Sequence, residues 1–164
     1  MEKRLIKSIR NASRDGIVDV VWSDTDGALH RLASWEEPRS EYTRAMARLA
    51  LELSAFVGHE LTAMKSINCG TDGKGFQYYR FIMTLRGTTD ARMTVSTEKI
   101  EYAHSLNART GETVTVGVNG APMTILERMR ELEAEADLYI EGERLQPDLE
   151  FAKPELVVAD SIRR

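Results

Sequence analysis

The chain has one cysteine, Cys69, so no intrachain disulfide can form and the fold must be held by packing alone. Cysteine use this sparse predicts a reducing, cytoplasmic setting. Long apolar runs are missing too. No stretch approaches the roughly 18 to 20 apolar residues of a helical membrane span, and the basic start Met1–Lys7 leads into no apolar run of signal-peptide length. No membrane role is expected. The three histidines, His30, His59 and His104, are scattered, and none has a second ligand at metal-site spacing. Neither a metal nor any other cofactor is expected. Internal repeats and low-complexity segments are absent, which excludes solenoids and predicts little disorder outside the ends.

What is present suffices for one domain. A chain of 164 residues buries roughly two-thirds of its unfolded surface without help from cross-links. Residues 1–146 are expected to form a single α+β domain. Pro147 and Pro154 break up the remainder, so 147–164 is expected to be an irregular C-terminal extension. The net charge of -4 is unevenly spread. Residues 131–150 hold eight acids against Arg144 alone, a net of -7, which leaves +3 for the rest of the chain. The first 15 residues carry Lys3, Arg4, Lys7, Arg10 and Arg14 against Glu2 and Asp15. An anionic partner on the body of the fold is therefore compatible with the acidic balance.

Hydrophobic periodicity sets the elements. Residues 3–10 alternate weakly, as a first strand would. Ile17–Ser23 alternates more clearly, with Val18, Val20 and Trp22 on one side. Asp24-Thr25-Asp26-Gly27 reads as a tight turn, and Ala28–Ala33 as the returning strand. Pro38 and Ser40 signal a helix start, with Ser40 the expected N-cap. Tyr42, Ala45, Met46, Leu49, Leu53, Phe56 and Val57 follow at helical spacing up to Gly58. Strands are expected at His59–Cys69, Phe76–Arg86, Ala91–Tyr102 and Thr113–Val118, the last ending at the turn Asn119-Gly120. A second helix is expected from about Thr124 to Asp137, then a small hairpin over Leu138–Leu145. The order β-β-α-β-β-β-β-α, plus an irregular tail, predicts an antiparallel sheet of about five to six strands with two helices packed on one face. The β-β-β-α portion superficially resembles double-stranded-RNA-binding domains. Ser13, Arg14 and the second helix do not supply the basic helix-start cluster those domains use, and no family is assigned.

Three segments invite a chemical reading and fail its context. Gly70-Thr71-Asp72-Gly73-Lys74-Gly75 is rich in glycine, but a phosphate loop needs a helix after it, and here a strand follows. Lys74 is left as a possible anion contact at the sheet edge. Asp24–Gly27 misses the calcium-loop register, which would require a carboxylate where Trp22 stands. Cys69 with an unplaced histidine is the best hook for an enzyme, weighed against ordinary core packing of a cysteine.

The strand from Phe76 carries the most information. Gln77, Tyr79, Phe81, Met83 and Leu85 alternate toward the core, while Tyr78, Arg80 and Arg86 point to the other face. In the next strand Met93 and Val95 read as core, leaving Arg92 and Thr94 outside. If the strands are neighbours, Tyr78, Arg80, Arg92 and Thr94 share one surface, with Lys74 and Arg86 beside it. Aromatic faces stack on bases and guanidinium groups fork onto phosphates. The expectation is a non-enzymatic binding protein, a homo-oligomer that holds or sequesters a small anionic, nucleotide-like ligand. Extended nucleic acid fits less well. The alternatives are a structural or accessory protein that uses this face only for protein contacts, and a cysteine-dependent enzyme.

Overall fold

The computed structural model describes residues 4–12, 17–89 and 91–146. The expected C-terminal extension and the basic residues Lys3 and Arg14 lie outside the described residues. The elements are strand β1 (Leu5–Ala12), β2 (Ile17–Ser23), β3 (Leu29–Ser34), helix α1 (Ser40–Val57), β4 (Glu60–Thr71), β5 (Gln77–Arg86), β6 (Arg92–Ser96), β7 (Ile100–Leu106), β8 (Thr113–Gly117) and helix α2 (Met123–Ile140). The fold is α+β with an antiparallel sheet, as the patterning predicts. The sheet has eight strands among the described residues rather than five or six, in the order β3-β2-β1-β4-β5-β7-β8, with β6 also on β5.

Two strands account for the difference. β1 is a full strand that joins β2 to β4 at the centre of the sheet. The expected strand Ala91–Tyr102 is two strands, because the chain breaks pairing between Ser96 and Ile100. At the break the Thr97 hydroxyl accepts from the Phe81 amide, and the Thr97 amide donates to the Phe81 carbonyl. β6 then pairs with the far half of β5 and β7 with its start.

β4 shows why its sequence hides its pairing. Leu61, Met64, Ile67 and Cys69 stand opposite Leu85, Met83, Phe81 and Tyr79, all on the inner face. Eight steps along β4 match six along β5, and the two extra residues fall at irregularities between Leu61 and Ala63 and between Met64 and Ser66. Bulges of this kind convert a period of two into a local period of three. The same device lets Ile6 and Ile9 both turn inward from β1.

The core lies between the sheet and the two helices. Tyr42, Ala45, Met46, Leu49 and Leu53 of α1 and Ile125, Leu126, Met129, Leu132, Ala136 and Tyr139 of α2 meet Ile9, Val20, Ile67, Tyr79, Phe81, Met83 and Tyr102 of the sheet. Each fully buried Leu, Ile or Phe contributes about 1.5 to 3 kcal/mol. α1 begins without a side-chain cap: Arg39, not Ser40, is the N-cap, and its carbonyl accepts from Tyr42. Gly58 ends it in the left-handed conformation, φ 76°, as expected. Met93, expected in the core, is 46% exposed, while Val95 two positions on is partly buried against that core.

The hairpin expected over Leu138–Leu145 is absent. α2 runs on to Ile140, since Tyr139 is buried and its hydroxyl donates to the Glu36 carbonyl at 2.6 Å. Arg144 then folds back over the Tyr139 ring, 3.5 Å from its centre, and Leu145 donates its amide to Glu37. No described helix is long and apolar enough to cross a membrane.

Candidate functional site

The outer face of β5 holds the residues that the sequence singles out. Tyr78 lies opposite Gly70 of β4 and Glu101 of β7. Its ring covers Gly70 so closely that a Cβ there would stand 2.8 Å from the phenol oxygen. Lys99 sits over the ring, 4.5 Å from its centre. The aromatic face is thus engaged by the protein's own lysine. Arg80 is exposed, opposite Asn68.

Arg86 lies opposite Arg92, and Thr84 opposite Thr94. Arg86 also reaches Glu60 at 3.3 Å. Arg80 and Arg86 are six positions apart on one strand, about 20 Å. The structure therefore puts Tyr78, Arg80, Arg86, Arg92 and Thr94 on one face but not in one cluster. Tyr78 and Arg80 occupy one end, and Thr94, Arg92 and Arg86 the other. Lys74 is exposed in the β4–β5 loop. That loop is a hairpin turn in which the Asp72 carboxylate accepts from the Lys74 and Phe76 amides at 2.9 and 3.0 Å.

A concave site lies elsewhere, at the sheet end on the helix side. It is a cleft of about 600 Å³, within the usual size of small-ligand pockets. Its walls are the start of β1, the end of β4, the start of β5, β7 and one side of α2. Arg4, Lys7, His104, Arg130, Glu133 and Asp137 supply its charge and polarity.

A chain of hydrogen bonds converges on the carboxylate of Glu133. Register sets Thr115 of β8 beside His104 of β7, and alternation turns both inward. The Gln77 carbonyl oxygen can only accept, so His104 Nε2 carries the proton that it takes at 2.8 Å. With its proton on Nε2, the ring accepts from the Thr115 hydroxyl through Nδ1, also at 2.8 Å. Gln77 Nε2 donates to the Tyr79 hydroxyl at 2.7 Å, and Tyr79 donates to Glu133 Oε1 at 2.7 Å. Every donor in the series points toward Glu133, so each bond polarises the next.

Burial nevertheless dominates the carboxylate. It pushes the Glu133 pKa up, and Asp137 one turn along α2 adds to the rise; the Tyr79 hydrogen bond and Arg130 oppose it. Burial raises Asp137 as well, against the pull of Arg4. Arg4 is already bound to Glu141 at 2.8 Å. Lys7 and Arg130 have no ion pair among the described residues, so two cationic groups border a carboxylate held by a tyrosine.

Cys69 faces inward opposite Tyr79 and lines the same cleft. Burial is the first cause that pushes its thiol up, and Glu133 adds to it. That is the opposite of an activated thiolate. His30 is engaged with Asp24 at 2.7 Å and stacks on Trp22. Among the described residues no three His, Cys, Asp or Glu side chains gather as metal ligands.

Sequence reasoning places Gln77 and Tyr79 on the inner face but does not reach Glu133, His104, Lys7 or Arg130 as partners. One signal was present: Glu133 lies beside Leu132 and four residues after Met129, at the border of the apolar stripe of α2. Comparison with protein-family models, with curated proteins and with solved structures finds no match to this chain.

Proposed function

We propose that the chain is a binding protein that holds a small anionic, nucleotide-like ligand in the cleft between the sheet end and α2. The observation that carries this reading is the half-buried Glu133, which accepts from Tyr79 in a series of hydrogen bonds and shares the cleft with Lys7 and Arg130, neither of which makes an ion pair among the described residues. Lys7 and Arg130 suit a phosphate or carboxylate group. Glu133 suits a ligand edge that presents N–H or O–H donors, as a nucleobase does. A polar group that enters the cleft and donates to Glu133 also replaces the water lost on burial.

The outer face of β5 supports the ligand reading less well, since Lys99 already covers Tyr78 and the arginines are spread along the strand. It remains a surface for protein contact under the alternative reading.

Titration calorimetry against nucleoside monophosphates, diphosphates, cyclic nucleotides, dinucleotides and inorganic phosphate tests the proposal. At least one member is expected to bind, and Lys7→Ala or Arg130→Ala to weaken it by roughly 10- to 100-fold, the worth of one charge-assisted hydrogen bond. No heat from any member would sink the proposal. Binding that ignores Lys7 and Arg130 but is lost in Arg80→Ala would move the ligand to the sheet face.

A further inference from the structure

The sheet ends in two edges that differ in how they are protected. An unpaired edge strand presents free N–H and C=O groups to any other strand, and soluble proteins blunt such edges with charge, proline, bulges or a covering element. β3 is blunted by charge. Arg31 grips Asp19 with two hydrogen bonds, at 2.9 and 2.7 Å, and His30 is bound to Asp24. The side edge formed by β6 carries Arg92 opposite Arg86. β8, at the far end of the sheet, has no charge, proline or bulge, and no further strand pairs with it among the described residues. Its sequence is Thr113-Val114-Thr115-Val116-Gly117.

We infer that β8 is the seam of a symmetric dimer, pairing antiparallel with β8 of a second copy to continue the sheet. The strand is self-complementary about Thr115. A two-fold axis there sets Thr115 opposite itself, Val114 opposite Val116 of the second copy and Thr113 opposite Gly117. No like charges meet anywhere on the strand, which is what a two-fold axis through a strand requires. Val114 and Val116 point to the outer face and are 45% and 51% exposed in the single chain. The axis gathers two such valines from each copy into one apolar row. On the inner face the two Thr115 residues meet at the axis, so the hydrogen-bond chains that lead to each Glu133 start back to back. A five-residue seam is about 16 Å long, which makes the dimer concentration-dependent rather than obligate. This inference does not depend on what the cleft binds.

Sedimentation velocity on the wild-type chain over roughly 1 to 200 µM, a range suited to weak interfaces, is expected to show a monomer–dimer equilibrium. Val114→Lys or Val116→Lys places a charge on the edge and is expected to give monomer throughout, while Ala33→Lys on β3 leaves the equilibrium unchanged. A wild-type monomer at all concentrations overturns the inference, and so does a dimer that survives both β8 substitutions. Cross-linking reads the register without relying on the lysine variants. An oxidised mixture of Val114→Cys and Val116→Cys chains is expected to form disulfide dimers, because these positions face each other within disulfide reach. Each variant alone is expected to form far fewer, its cysteines being diagonal. Equal yields, or none, would overturn the seam.

Discussion

Replacing Tyr79 by Phe removes one oxygen from the middle of the chain that ends on Glu133. The ring is wholly buried and phenylalanine fills the same space, so the loss is polar rather than steric. Two hydrogen bonds go, both 2.7 Å long: the one donated to Glu133 and the one accepted from Gln77. A bond to an ionised carboxylate is worth about 1.5 to 3 kcal/mol and a neutral one about 0.5 to 1.5, so Tyr79→Phe is expected to cost about 2 to 4 kcal/mol at neutral pH. The dependence on pH is the sharper expectation. Glu133 has its folded pKa raised above the ordinary 4.5, with the Tyr79 bond pulling it back. An acid raised in this way adds stability at pH below its unfolded value, and that stability is lost as pH rises through the folded value. Without Tyr79 the folded value rises further, so the loss runs deeper. The cost of Tyr79→Phe is therefore expected to grow from about 1 to 3 kcal/mol near pH 4, where the carboxyl is neutral, by about 1 kcal/mol or more toward pH 8. Urea unfolding of wild type, Tyr79→Phe, Glu133→Gln and the double variant across that range measures it. In the Glu133→Gln background nothing titrates at this position, and the Tyr79 cost should be flat. A cost that is flat or falling in the wild-type background, or a pH dependence that survives Glu133→Gln, would refute the reasoning.

Arg31→Ala removes the main cause that holds the Asp19 pKa below 3.8. A lowered carboxylate gives stability above its ordinary pKa that is lost as pH falls through the folded value, so this variant is expected to unfold at higher pH in an acid titration followed by circular dichroism. Gly117→Ala puts a Cβ against the Ala121 carbonyl where the chain turns from β8 toward α2. The backbone must shift, and a loss of about 1 to 3 kcal/mol is expected in thermal or urea unfolding. Cys69 is expected to react with a thiol reagent at pH 8 at least about 100-fold more slowly in the folded chain than in denaturant, because burial and Glu133 disfavour the thiolate that reacts. Rapid labelling of the native protein would show an open, activated thiol instead.

Legibility varied with how local each cause is. The helices were readable because their buried residues recur at three and four positions, and Gly58 marks the end of the first. The inward face of β5 was readable because it alternates without interruption. β4 was readable as a strand but not in register, since two bulges shift its inner face from Leu61 to Met64 to Ile67 before alternation resumes at Cys69. The break at Thr97 was hidden because Met93 and Val95 keep the alternation up to it. The end of α2 was misread because Tyr139 looks like a strand residue until Glu36, 103 positions earlier, provides an acceptor for its hydroxyl.

The candidate site divides along the same line. Which residues of β5 face in and which face out follows from backbone geometry, since successive side chains leave a strand on opposite sides, and the sequence alone determines it. It also determines that there are two helices on these segments, though not where α2 ends, the turns at Gly27 and Gly58, and the lack of an intrachain disulfide. Which side chains then meet depends on pairing between distant segments. His104 reaches Gln77 because β7 pairs with the start of β5, and Glu133 reaches Tyr79 because α2 packs across that end of the sheet. Those contacts span up to 54 positions. No local pattern encodes them, because each partner is an ordinary polar residue until burial leaves it only the other to bond with.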